Sequence, residues 1–234
     1  MLRQFSFSRC MSEPPHSRRV GPPHRPKLRR VVERQRSTSP QLTRDEKIKG
    51  FQGWNERGYI PHRDEPGLTQ FVTFRLADTF PSEMQEEWEK LLNIEDARER
   101  RIQLESWLDL GHGLCHLRDE RIAQLTADIL RRFDGTHYRL HAWTIMPNHV
   151  HVMFEVGEMP MKKVLQQWKG ATARAANAQL GLQTPFWQSD YWDTFMRDPD
   201  HQERTIRYIR NNPVKAGLVS DWKAWPWTYI RKEE

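Results

Sequence analysis

The sequence predicts an α+β fold, an antiparallel sheet covered by helices, and three observations carry that prediction. Strand-like and helix-like segments follow one another in the order β, α, β, β, α, β, α. Two of the strand-like runs are separated only by Met146-Pro147-Asn148, a spacing that suits a hairpin. The helical segments carry apolar residues at helical rather than alternating spacing. A chain of 234 residues suits one medium domain with attachments, expected over residues 49–234 behind a tail covering 1–48.

From Glu13 to about Arg44, prolines and arginines dominate and almost no apolar residue is available to a core, so this stretch reads as a disordered basic tail. It serves either as a non-specific grip on phosphates or as a solubilising extension. Order begins near Phe51. Residues 69–76 have the β-branched and aromatic content of a first strand. Ser82 opens a capping-box spacing, and Trp88, Leu91, Leu92, Ile102, Leu104, Trp107 and Leu108 suggest two amphipathic helices within 82–113, closed by Gly111-His112-Gly113. A helix from about Asp119 to Phe133 carries Ile122, Leu125, Ile129 and Leu130 on one side. Strands are expected over Tyr138 to Ile145 and His149 to Val156, and a long helix from Pro160 to about Leu180. Phe186 to Phe195 reads as an aromatic-rich strand. The last main helix runs from His201 to about Asn211 and is ended by Pro213, because proline disfavours the helical conformation in the residue before it.

The formal net charge of +6 and a pI of about 9.5 favour a polyanionic partner such as nucleic acid. Cys10 and Cys115 form neither a CxxC unit nor a disulfide framework, which points to a reducing cytoplasm. No stretch approaches the roughly 18 apolar residues of a membrane helix, and Met1 to Val20 has no export h-region. Residues 1–36 are Arg-rich and acid-poor like an organellar transit peptide, but their prolines break the amphipathic helix which that reading requires; Met11 is an alternative start. A cytoplasmic, nucleoid-associated location is expected.

Side chains alternate across a strand, so His149 and His151 project from one face while Val150 and Val152 enter the other. Two imidazoles so placed can bind one divalent ion; hydrogen-bonded surface histidines are the plain alternative. Downstream, Tyr208 and Asn212 are four apart and stack on one helix face, from which they could address the same ion and phosphate. Ile206 and Ile209 turn toward the core, and Arg207, Arg210 and Lys215 supply donors suited to phosphates. An ordinary half-buried helix tyrosine is the alternative for Tyr208.

The run from Leu140 to His151, followed by Tyr208-Ile209 and by Asn212 to Val219, closely resembles the REP-associated tyrosine transposases, part of the HUH single-tyrosine transposase superfamily. Connecting segments around Gln167 to Gly170, Ala173-Arg174, Pro185 to Gln188 and Tyr191 to Arg197 look like that family's, so the resemblance spans about Gly58 to Trp227. It departs where many relatives carry a histidine after the aspartate of the tryptophan-rich segment and this chain has Asp193-Thr194. The helices of 82–113 look like an insertion that either adds core or shapes a nucleic-acid surface.

The resemblance implies a ferredoxin-like sheet with the histidine pair on a central strand and the tyrosine on a facing helix. It makes His149 and His151 metal ligands, Asn212 the third ligand and Tyr208 the nucleophile of a single-strand DNA endonuclease and strand transferase. Tyr208 would form a 5′-phosphotyrosine, and a second 3′-hydroxyl would displace it. Ligand softness suits Mn²⁺ and cellular abundance Mg²⁺, while zinc's structural sites want four protein ligands and only three are implied. The implied partner is single-stranded or hairpin DNA of the repetitive extragenic palindrome kind, met by a monomer or homodimer. Lys169, Arg174, Arg197, Arg207, Arg210 and Lys215 are candidates for phosphates, and Trp187, with Trp168, Tyr191 and Trp192, for stacking on bases, against the alternative that these tryptophans are core. Two competing functions are a catalytically inactive DNA-binding regulator of the same fold and a metal-dependent phosphodiesterase that uses activated water.

Overall fold

The structure, a computed structural model, describes residues 41–232 apart from 58, 59, 81–83 and 95. The tail expected over 1–48 therefore lies mostly outside the described residues, as does the capping-box serine at 82. Within 41–48, helix α1 (Arg44–Lys49) already forms, because Thr43 and Glu46 make a reciprocal capping box and Gly50 closes it at φ 102°. The strands β1 (Gly53–Arg57) and β2 (Ile60–Asp64) then pair as an antiparallel two-stranded ribbon. That ribbon was not read from the sequence, since its alternation is interrupted by Pro61 and by charged residues.

The main sheet has five antiparallel strands. Its first, β3 (Thr69–Arg75), is followed by helices α2 (Gln85–Leu92), α3 (Ala97–Asp109) and α4 (Glu120–Arg131). The hairpin of β4 (Tyr138–Ile145) and β5 (His149–Val156) falls where the sequence put it, and α5 (Met161–Leu180) leads to β6 (Trp192–Phe195). After α6 (Pro199–Lys215), β7 (Thr228–Ile230) adds to the free edge of β4. The lateral order is β6-β3-β5-β4-β7. Counting strands from β3, the first four lie in the order fourth, first, third, second, which is the ferredoxin-like βαββαβ arrangement. The strand bearing both histidines is the centre of the sheet.

Helices cover both faces. On one, Ile122, Ala127 and Leu130 of α4 and Val164, Leu165 and Trp168 of α5 pack on Val72, Val150, Val152 and Phe154 in the large core. On the other, Ile209 of α6 packs on Phe71, Ala142 and Met153, with Ile206 and Tyr208 beside it. Period-two alternation separates the two sets on β3 and β5, and on β4 an irregularity between Leu140 and Ala142 shifts the phase so that Leu140 and Trp143 both enter the large core. Trp168 is core: it is 2 % exposed, packs edge-on against Tyr138 and Phe154, and donates its indole N–H to the Tyr138 hydroxyl at 2.9 Å.

Two expectations change. The strand expected over Phe186 to Phe195 is regular only from Trp192; its first half follows β3 by single bonds, Ala77 N–H to Phe186 and Gln188 N–H to the Arg75 carbonyl, and by one bridge between Leu76 and Trp187. The last helix does not stop before Pro213 but continues to Lys215. Pro213 sits in the final turn, where its missing N–H costs one bond while its carbonyl still accepts from Leu218 at 2.9 Å, and Gly217 at φ 68° ends the chain's helical path.

Because Trp168 fills the core rather than facing solvent, Trp168→Ala is expected to lower stability by about 3–5 kcal/mol, read as a drop in the urea midpoint. A variant as stable as the parent would contradict this packing.

Candidate active site

On β5, residues 149 and 151 face α6, and both imidazoles are 1 % exposed. Their Nε2 atoms lie 3.1 Å apart and the rings meet edge to face at 4.6 Å between centroids. Each ring is oriented through its other nitrogen. The Asn148 amide N–H donates to the His112 carbonyl at 3.0 Å, which turns the Asn148 side-chain oxygen to His149 Nδ1 at 2.7 Å. That oxygen is only an acceptor, so His149 carries its proton on Nδ1 and presents a lone pair at Nε2. His151 Nδ1 is held at 2.7 Å by the hydroxyl of Thr73, its cross-strand neighbour on β3. Burial pushes both imidazoles away from protonation, with the Lys215 charge adding to it: His149 is lowered from 6.5 to about 3, and His151, which also feels His149, well below its ordinary value. The pair is neutral at physiological pH.

Tyr208 reaches this pair from α6. Its hydroxyl is 3.4 Å from His151 Nε2, the two rings are 5.3 Å apart, and Phe71 wedges against both. Asn212, one turn on, is fully buried, and neither atom of its side-chain amide has a protein partner among the described residues. Leaving a buried amide unsatisfied costs on the order of 1–3 kcal/mol. Buried amide oxygen and paired imidazole nitrogens, all neutral lone-pair donors, are a set that fits a divalent cation. Among the described residues no group of three or more His, Cys, Asp or Glu side chains is placed to hold a metal.

Of the remaining sequence candidates, Arg207 and Lys215 line a surface cleft of about 280 Å³ with Tyr208, Arg204 and Asn211. Arg207 also pairs with Glu203 at 2.7 Å, Arg210 lies 5.6 Å from the Trp222 ring, and Arg197 precedes the start of α6. The others sit elsewhere. Arg174 and Lys169 belong to α5, on the face away from the imidazoles, and the Lys169 ammonium donates to the carbonyls of Gln188 and Ser189 at 2.6 and 2.7 Å. Trp187 is 7 % exposed and packs edge-on against Phe74 and Phe186 in the large core, so its ring is not presented to a base. At the departure noted in the sequence, Asp193 pairs with the buried His62 of β2, while Thr194 stands opposite Phe71 on the imidazole face.

Thr73, Asn148 and Asp109, whose carboxylate lies 2.9 Å from the Lys215 ammonium, were not singled out from the sequence. Asn148 directly precedes the histidines and carried a signal in its position; Thr73 depends on strand register and Asp109 on tertiary packing, neither of which periodicity reports.

Residues 116–212 match a protein-family model described as "Transposase IS200 like". The resemblance read from the motifs is borne out. A REP-associated tyrosine transposase of Escherichia coli (strain K12) is 25 % identical over 96 residues, which is 41 % of this chain and 56 % of that protein, so the chain spans just over half the length of that relative. A solved REP-associated tyrosine transposase bound to a REP hairpin is 18 % identical, covers 74 % of this chain and 82 % of its own, and superposes with a TM-score of 0.44.

The lowered imidazole pKa values fix a pH dependence. Between the folded values and the ordinary 6.5, the unfolded chain binds protons that the folded chain refuses, so stability rises with pH across that window and is lost as pH falls from 6.5 toward 3. Urea midpoints of the chelator-treated protein are expected to decline from pH 7 to 5, with a flatter decline in the variant carrying both His149→Gln and His151→Gln. Equal slopes would mean that the imidazoles are not desolvated.

Proposed function

We propose that this chain is a divalent-metal-dependent, single-strand DNA endonuclease and strand transferase that works through a tyrosine nucleophile. The observation that carries the reading is the meeting of the Tyr208 hydroxyl, 3.4 Å from His151, with two neutral imidazoles whose Nε2 atoms converge at 3.1 Å. A transposase-like role fits the matched family, and the motif residues lie within its span or directly beside it.

His149, His151 and Asn212 would hold the ion, Mg²⁺ or Mn²⁺, which would supply Lewis-acid polarisation of the scissile phosphate. The Tyr208 oxygen attacks phosphorus, the bond to the 3′ oxygen breaks, and a 5′-phosphotyrosine and a free 3′-hydroxyl remain. A phenol has a pKa of about 10 and is weakly nucleophilic at neutral pH. Cations lining its cleft, Arg207 and Lys215 among them, offset charge that grows on the phosphate. The bond energy is kept in the phosphotyrosine, so an incoming 3′-hydroxyl can rejoin DNA without a nucleotide cofactor.

Hairpin DNA with a short single-stranded flank is the proposed substrate, by analogy with the REP-associated relatives. Arg197, Arg207, Arg210 and Lys215 are the proposed phosphate contacts on the α6 side, with Lys169 and Arg174 at the distant face of α5. The tail of residues 1–48 and the catalytic unit 49–234, with its 82–113 helical segment, complete the proposed organisation.

The test is a fluorescent single-stranded hairpin oligonucleotide incubated with protein and Mn²⁺ and resolved on denaturing gels. The parent is expected to form a covalent adduct that Tyr208→Phe abolishes. Tight binding with no adduct would instead indicate a DNA-binding regulator, and cleavage surviving Tyr208→Phe a water-using phosphodiesterase. His151→Ala is expected to fold and to bind the hairpin within about threefold of the parent while adduct formation drops by at least about a hundredfold. An unfolded His151→Ala would make that imidazole structural.

A further inference from the structure

Helices α2 and α3 occupy the segment that interrupts the ferredoxin-like pattern between β3 and α4. Two contacts tie the C-terminal end of that segment to the site. The His112 carbonyl accepts from the Asn148 amide, whose oxygen holds His149. Asp109, the last residue of α3, sets a carboxylate oxygen 2.9 Å from the Lys215 ammonium.

The second contact is lopsided in a telling way. The Asp109 side chain is 12 % exposed and its oxygens are shielded from solvent, whereas Lys215 is 48 % exposed. Burial raises the Asp109 pKa, and the neighbouring ammonium opposes that rise. Lysine's four-carbon stem samples many rotamers when free, and a buried, fixed anion selects among them. The selected one puts the ammonium 6.0 Å from the centroid of the Tyr208 ring, in the cleft the two residues share. Arg207, another cation of that cleft beside Arg204, is tied to Glu203 on its own helix.

We propose that Asp109 is a positioning residue which holds the Lys215 ammonium beside Tyr208, facing the phosphate under attack, so that α3 is a working part of the site. The role of Lys215 in the reaction rests on the phosphotyrosine reading; its coupling to Asp109 rests on the contact alone. A carboxylate that only sat near a DNA site would repel phosphate, and its removal would tighten binding without slowing chemistry. A merely structural ion pair would change unfolding and leave chemistry untouched.

The experiment uses the full chain and its Asp109→Asn, Asp109→Glu, Lys215→Met and Asp109→Asn/Lys215→Met variants. Asp109→Asn is expected to slow adduct formation on the hairpin oligonucleotide on the order of tenfold with binding unchanged or tighter. Asp109→Glu should restore most of the rate, and Asp109→Asn should add nothing in the Lys215→Met background. Independently of activity, Lys215 labelling by an amine-reactive reagent, read by mass spectrometry without DNA, should rise severalfold in Asp109→Asn. A parental adduct rate in Asp109→Asn, an undiminished further loss in the Lys215→Met background, or unchanged labelling would each overturn the proposal. If the parent forms no adduct while labelling rises, the phosphotyrosine reading falls and the coupling stands; no adduct with unchanged labelling sinks both.

Discussion

The antiparallel pairing of β5 with β3 on one side and β4 on the other is the constraint on which the site depends. It makes β5 a fully interior strand, so both of its faces are covered and neither is free to be polar by default. Alternation then sends Val150, Val152 and Phe154 into the large core and His149 and His151 into the layer beneath α6. A slip of one residue would exchange the two sets, burying imidazoles among α4 and α5 and exposing valines to the tyrosine helix. The large apolar core on one face thereby fixes the position of polar chemistry on the other.

Holding two imidazoles at 1 % exposure carries an electrostatic consequence. Desolvation refuses them a proton, and the hydrogen bond from His149 to Asn148 leaves a lone pair at the nitrogen that faces His151. Among the described residues nothing satisfies the Asn212 amide. Buried polar groups in folded proteins are generally paired, and concentrated exceptions mark places where the fold accepts local cost for something other than stability. Here the unsatisfied amide belongs to α6 and the neutral imidazole pair to β5, two elements packed on one another, which is where a cation binding both would have most effect.

Much of this was legible in the sequence because it follows from local periodicity. The hairpin 138–156, the long helix ending at Leu180 and the common face of His149 and His151 are period-two or period-3.6 statements. So is the placing of Tyr208 and Asn212 one turn apart. What was not legible depends on non-local packing. The β1–β2 ribbon has no clean alternation, and the regular part of β6 is short because its first half pairs only where Phe186 and Trp187 dip into the core. Tryptophan illustrates the limit: Trp168 and Trp187 read equally well as core or as base platforms until their partners, Tyr138 and Phe74, are known.

The course of α6 past Pro213 links these threads. Tyr208, Asn212 and Lys215 are spaced by four and three residues, so on an unbroken helix they form one stripe. A helix ending at Asn211, as the pre-proline rule suggests, would keep Tyr208 and release the other two. Because Pro213 lies in the last turn, its ring has a completed helix before it and its carbonyl still serves the C-terminal cap. The stripe therefore runs from the imidazole pair at one end to Asp109 of α3 at the other. The proline that reads as a stop signal is thus a rigid part of the surface that carries the nucleophile, and the helical segment before α4 gains its only ion pair to that surface, among the described residues, through the last residue of α6.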